Sequence, residues 1–144
     1  MEKKKIIGRD ISILHRHKNR YGDTVFKEFN LNNTQAEALL YLNRFPGANL
    51  KEINNYFMIN KASITKIVNH LEILGYVSRR YNKQDKRECG VYLTDSGIEL
   101  IPELINRLQK WENMLLSNIE SRDVEKLRDL LFQMVENITV MGLK

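Results

Sequence analysis

Residues 60–97 read NKASITKIVNHLEILGYVSRRYNKQDKRECGVYLTDSG, and this stretch decides the fold. Asn60 is a good N-cap. Behind it Ile64, Ile67, Val68, Leu71 and Leu74 recur at helical spacing, and Gly75 stops the run. The period then changes. Tyr76 to Tyr81 and Gly90 to Leu93 are strand-like, with Val91 and Leu93 on one side, and the polar segment NKQDKREC between them is too long for a two-residue turn. A helix followed directly by a hairpin with a charged tip is the expectation.

Upstream, LKEINNYFM forms a short helix opened by the Asn49/Glu52 capping pair, with Leu50, Ile53 and Phe57 turned inward. Only Met58 and Ile59 separate it from Asn60, so the two helices read as a helix-turn-helix. Before them, Thr34 with Glu37 gives another capping-box pattern, and Ala36, Leu39, Leu40 and Phe45 form the stripe it leads into. RFPGAN ends that helix. A first helix is expected from about Ile7 to Tyr21, with Ile11, Leu14 and Ile13 inward and a break near Gly22. Downstream, Thr94 caps a long helix carrying Ile101, Leu104, Ile105, Leu108, Trp111 and Leu115. Ser121 and Asp123 introduce a last one with Leu127, Leu131, Met134, Ile138 and Met141. The fold class is mostly α (α+β): a winged helix-turn-helix with a two-stranded wing, flanked by helices at both ends.

The 144 residues are expected to form one domain, or a small one with helical extensions. Hydrophobic content of 42% and charged content of 28% suit a folded protein. No apolar run approaches the roughly 20 residues that span a bilayer. Gly8, Arg9 and Asp10 interrupt the basic N-terminus, which argues against a secretory signal, and the single cysteine, Cys89, allows no internal disulfide. A cytoplasmic location is therefore expected. The net charge of +5 is uneven: nine Lys/Arg face five Asp/Glu over residues 1–48, eight face four over 49–94, and six face nine over 95–144. A basic front and middle joined to an acidic tail suggests a polyanion-facing region beside one with another task.

The third helix leaves Lys61, Ala62, Ser63, Thr65, Lys66, Asn69 and His70 outside its apolar face, with no acid among them. Such groups read base edges or hold phosphates, although a plain solvated face has the same composition. In the wing, Asp85 lies two residues before Arg87. A carboxylate there can hold the guanidinium extended, as a narrow minor groove requires. Arg79, Arg80, Lys83 and Lys86 surround it as expected phosphate contacts. The bland alternative is a surface salt bridge worth at most about 1 kcal/mol.

With LEILGYVSRR, the D-x-R at Asp85-Lys86-Arg87 and LTDSG at this spacing, the chain resembles the MarR family of bacterial transcriptional regulators. The resemblance implies a triangular homodimer joined through helices at both chain ends, with one winged domain per subunit on each DNA half-site. It divides the chain into an N-terminal dimerisation segment (1–32), a DNA-binding domain (33–95) and C-terminal dimerisation helices (96–144). It implies recognition-helix contacts at Ser63, Thr65, Lys66 and Asn69, with Arg87 as the wing arginine oriented by Asp85. The terminal stripes, more apolar than a short winged domain can cover, independently ask for a second copy. The expected partners are double-stranded DNA, a second subunit and a small-molecule effector, with no membrane. The expected activity is repression from a pseudo-palindromic operator. A protein-interaction adaptor that leaves DNA alone is the alternative.

His15, His17 and His70 with Cys89 raise the question of a metal. His15 and His17, two apart on a helix, point to different sides, and no carboxylate joins them at ligand spacing. No cofactor and no metal are expected. Cys89 stands near Lys86 and Arg87, so a redox role is an open possibility. Nothing resembles a nucleophile with its base, a phosphate-binding glycine loop or a paired-carboxylate site, so no enzymatic activity is expected.

Overall fold

The computed structural model describes residues 6–81, 83–84 and 89–141. In chain order they form α1 (Gly8–Val25), a 3-10 turn (Lys27–Phe29), α2 (Asn33–Arg44), α3 (Leu50–Phe57), α4 (Lys61–Ile73), β1 (Val77–Tyr81), β2 (Cys89–Leu93), α5 (Asp95–Leu115) and α6 (Ser121–Val140). The expected winged helix-turn-helix with flanking helices is what the chain adopts.

Capping sets the starts of the middle helices. The Asn49 side chain accepts from the Glu52 amide at 2.8 Å and Glu52 returns the bond at 3.3 Å, as the sequence predicts. Asn60 accepts from the Ser63 amide at 2.8 Å, also as predicted. The α2 cap differs. The box is formed by Asn32 and Gln35, whose side chains accept from each other's backbone amides, and not by Thr34 and Glu37. Glu37 is drawn away because it accepts from Asn33 Nδ2 at 2.9 Å and pairs with Lys18 of α1. An exposed cap bond of about 1 kcal/mol is a weak competitor for that carboxylate.

Helix α4 closes through bonds from the Gly75 amide to the Glu72 carbonyl and from the Tyr76 amide to the Leu71 carbonyl, both 3.0 Å, a Schellman ending. The chain turns at once into β1, which pairs antiparallel with β2 in the register Val77↔Leu93, Arg79↔Val91 and Tyr81↔Cys89. The link after α2 adds a single bridge to the outer edge. The Gly47 amide donates to the Val91 carbonyl and the Val91 amide to the Ala48 carbonyl, each at 2.9 Å. This anchors the base of the wing to the helical body. Thr94 joins wing to α5, its hydroxyl accepting from the Gly97 amide at 3.2 Å and donating to the Gly75 carbonyl at 2.6 Å.

The core is built around α2. Leu39, Leu42, Ile53, Ile64, Val68, Leu71, Val91 and Leu104 are almost completely enclosed, and Phe26 joins them from the end of α1. Burial of each large side chain stabilises by about 1.5–3 kcal/mol. Several positions expected inside are not. Ile11 and Leu14 of α1 are exposed, as is Phe45. Ile105 and Leu115 of α5 and Leu127, Leu131, Ile138 and Met141 of α6 or just past it are exposed too, in keeping with terminal stripes more apolar than a winged domain can cover. No residue of α6 is buried. The helical period was right, but its apolar face is turned away from this chain's own core.

The break expected near Gly22 is also absent, for α1 runs through to Val25. Gly22 is buried against Asn33 of α2. A Cβ there would lie 2.3 Å from Asn33 Oδ1, so the glycine permits a close helix crossing instead of ending a helix. Around that crossing the backbone amide of Asn33, itself buried, donates to Asp23 Oδ1 at 3.0 Å.

Candidate nucleic-acid interface

With Ile64, Val68 and Leu71 in the core, α4 presents Lys61, Ala62, Lys66 and Asn69 to solvent, with Ser63 and Thr65 half-buried beside them. The Thr65 hydroxyl donates to the Lys61 carbonyl at 2.9 Å. His70 is placed differently. Its Nε2 lies 3.0 Å from the Asn30 carbonyl, so the ring is directed at the link into α2 and is not aligned with Lys66.

Strand β1 crosses beside the C-terminal half of α4, and one side chain joins the two. Arg79 Nη2 donates to Asn69 Oδ1, while Arg79 Nε stands 3.9 Å from Glu72. The arginine side chain is only 18% exposed. It was expected to reach for phosphate; it is instead engaged with the helix next to it. Arg80, its neighbour, is exposed, with the guanidinium 4.4 Å above the Tyr92 ring, a stacking that steadies an outward cation. Lys83 is exposed where the chain leaves β1. Lys61, Lys66, Arg80 and Lys83 are thus the exposed cations of α4 and the described part of the wing. Asp85, Lys86 and Arg87 lie outside the described residues.

A second feature was not read from the sequence. Between α1, α2, α3 and α5 lies a cleft of about 340 Å³. Tyr41 forms its centre, 5.0 Å from Phe45, 4.7 Å from Tyr56 and 6.0 Å from Phe57 between ring centroids. Leu108 and Trp111 of α5 close the far wall, and Trp111 stacks on Tyr21 at 5.4 Å. The Tyr41 hydroxyl has its pKa raised by burial, with the Glu52 and Tyr56 charges adding to it. The aromatic residues at 41, 45, 56 and 57 were the available signal, but their meeting depends on how α2 and α3 cross.

Cys89 is half-buried at the start of β2, its Sγ 3.9 Å from the Gly90 carbonyl. His15 has a ring nitrogen 3.2 Å from the Asn19 amide, and His17 is exposed. Among the described residues no three His, Cys, Asp or Glu side chains come together as a metal site, and no helix is long and apolar enough to cross a membrane.

Residues 31–89 match the MarR family profile, a span that runs from the entry to α2 through the start of β2. The HTH-type transcriptional regulator BilQ of Clostridioides difficile (strain CD3) is 26% identical over 107 residues, covering 74% of this chain and 72% of its own. The solved MarR protein from Peptoclostridium difficile DA00132 superposes with a TM-score of 0.86 at 28% identity, over 96% of this chain and 92% of that one. Over residues 31–89 the chain carries the sequence pattern of the MarR family. The helix-turn-helix and the first strand of the wing fall within that matched span. A Listeria monocytogenes protein of the same fold, solved in complex with a 26mer DNA, has a TM-score of 0.89 at 24% identity, over 97% of each chain.

Proposed function

We propose that this protein is a MarR-family transcriptional regulator that acts as a homodimer on duplex DNA, occupying a pseudo-palindromic operator as a repressor and leaving it when a small ligand binds. The observation that carries the DNA reading is the Asn69–Arg79 contact. It makes the exposed face of α4 and the first strand of the wing one surface, bearing Lys61, Lys66, Arg80 and Lys83. The similar Listeria fold solved with DNA supports it. On this reading Ser63, Thr65, Lys66 and Asn69 face the major groove, while Arg87, oriented by Asp85 and flanked by Lys86, serves the minor groove. The protein is read as a cytoplasmic binder and not as an enzyme.

Dimerisation is supported by the helices left unburied, chiefly α6 with Leu127, Leu131 and Ile138 exposed. Residues 1–32 and 96–144 then form the dimerisation region around a DNA-binding domain at 33–95. Half-site centres about 10 base pairs apart match one helical turn. Release by a ligand is supported by the aromatic cleft, which touches helices on both sides of that division. A ligand that prefers one arrangement of those helices shifts the population by that preference and no more.

Selection of genomic fragments by the purified protein tests the reading. A pseudo-palindrome bound with an affinity that falls steeply as salt rises is the expected result, and Arg87→Ala should weaken it without unfolding the protein. Recovery of no preferred sequence, with weak binding indifferent to salt, would leave the protein-interaction adaptor standing. Trp111, the single tryptophan, reports on the cleft, so an effector that fills it should change the emission and weaken operator binding together.

A further inference from the structure

Arginine carries only donors, so whichever atom of the Asn69 amide faces the Arg79 guanidinium must be the oxygen. The bond from Arg79 Nη2 to Asn69 Oδ1 therefore fixes the amide's orientation, with Oδ1 toward β1 and Nδ2 away from it on an exposed side chain. Arg79 itself is poorly placed to meet a phosphate. Its side chain is 18% exposed, Glu72 stands 3.9 Å from Nε and partly offsets its charge, and Nε is buried without a hydrogen-bond partner.

We infer that Arg79 is a positioning residue that turns Asn69 into a donor for the base edge, making this pair a determinant of operator sequence. The inference rests on the DNA reading above. An asparagine with both amide groups available favours adenine, accepting from N6 and donating to N7. With Oδ1 held by the wing strand, the outward group is an NH2, which clashes in polarity with the adenine N6 donor. Guanine offers two acceptors, O6 and N7, side by side. Asn69 is thus set to select guanine over adenine at one position of each half-site. A wing strand that had merely drifted near α4 would leave the amide free to turn and the choice of purine open.

The experiment is selection from a randomised duplex library by the full-length protein and its variants, followed by affinity measurements across a salt series. Asn69→Ala identifies the position, as the base pair whose preference vanishes. The unmutated protein should favour guanine there. Arg79→Met keeps an unbranched apolar stem but removes the donor, and it should raise acceptance of adenine relative to guanine by about fivefold or more. The slope of log affinity against log salt should stay unchanged. Asn69→Asp keeps the Arg79 partner but loses the NH2, and should abolish the guanine preference; thermal unfolding verifies that each variant is folded. A uniform loss across all sequences in Arg79→Met, with the salt slope shallower by about 1, would identify Arg79 as a phosphate contact and overturn the inference. So would a preference for adenine in the unmutated protein, or no effect of Asn69→Ala on any base pair. Failure of the unmutated protein to select any sequence would instead defeat the DNA reading, and this inference with it.

Discussion

Arg107, midway along α5, is ion-paired with Glu28 in the 3-10 turn that follows α1. The same guanidinium bonds Glu103 at 2.9 Å, donates to the Val25 carbonyl at the end of α1 and lies 4.6 Å over the Phe29 ring. Its pKa is raised, first by the Glu103 hydrogen bond and then, against the effect of burial, by Glu28. The Arg107 carbonyl accepts from the Tyr21 hydroxyl at 2.8 Å, so one residue ties α5 to α1 through side chain and backbone. Glu28 and Glu103 are largely solvated, which discounts the ion pairs; the carbonyl bond and the ring contact matter more. Arg107→Ala is expected to lower stability by about 1–3 kcal/mol in urea unfolding. Arg107→Lys should restore only part of this, since an ammonium cannot serve three partners from a planar fork. A loss within about 0.5 kcal/mol for the alanine variant would show that this seam carries little of the stability.

Gly97→Ala should destabilise although alanine favours helices. A Cβ at Gly97 would lie 2.3 Å from the Tyr76 carbonyl oxygen, and that atom is backbone at the foot of the wing. Helix propensity alone predicts a gain of about 1 kcal/mol. Overpacking predicts a loss of about 1–3 kcal/mol, with the wing pushed away from α5. Thermal unfolding distinguishes the two by sign.

Leu131→Asp should convert the proposed dimer into a monomer while leaving the folded chain little changed. Leu131 is 47% exposed in the single chain, so the substitution removes no core contact there, whereas a charge within an apolar interface is strongly disfavoured. Sedimentation should show the mass halving, and operator affinity should fall with it. A dimer that persists unchanged would move the interface away from this face of α6.

Tyr41 supplies a pH dependence. Its folded-state pKa is raised above the ordinary 10.0, chiefly by burial. The protonated phenol is therefore favoured by the fold. The stability it contributes is fully present below the unfolded value of 10.0 and is lost as pH rises through the folded value. Tyr41→Phe should flatten the alkaline fall in unfolding midpoint relative to the parent protein. An identical alkaline fall in both would show that this hydroxyl is as well solvated as in the unfolded chain.

Several elements were legible because local chemistry had no competitor. Asn49 and Asn60 cap as read, and the apolar positions of α4 fixed which face stayed polar. Other readings failed where a distant group intervened. Two capping frames were available before α2, and Lys18, on another helix, decided between them by pairing with Glu37. Gly22 suggested a helix end because sequence cannot show that Asn33 would press against it. Gly97 was visible as part of a motif, but its reason is the Tyr76 carbonyl.

By itself the sequence determined the order of elements, the helix-turn-helix with its wing, and the set of polar residues on α4, since periodicity and capping act over three or four residues. It also showed which residues carry charge. Tertiary structure decided what those charges address. Arg79 and Arg80 are adjacent and chemically alike, yet alternation along β1 turns one to Asn69 and the other over Tyr92. Likewise the terminal stripes were plain as stripes and already exceeded what a winged domain can cover, but only the packing around α2 showed which of their residues this chain leaves exposed.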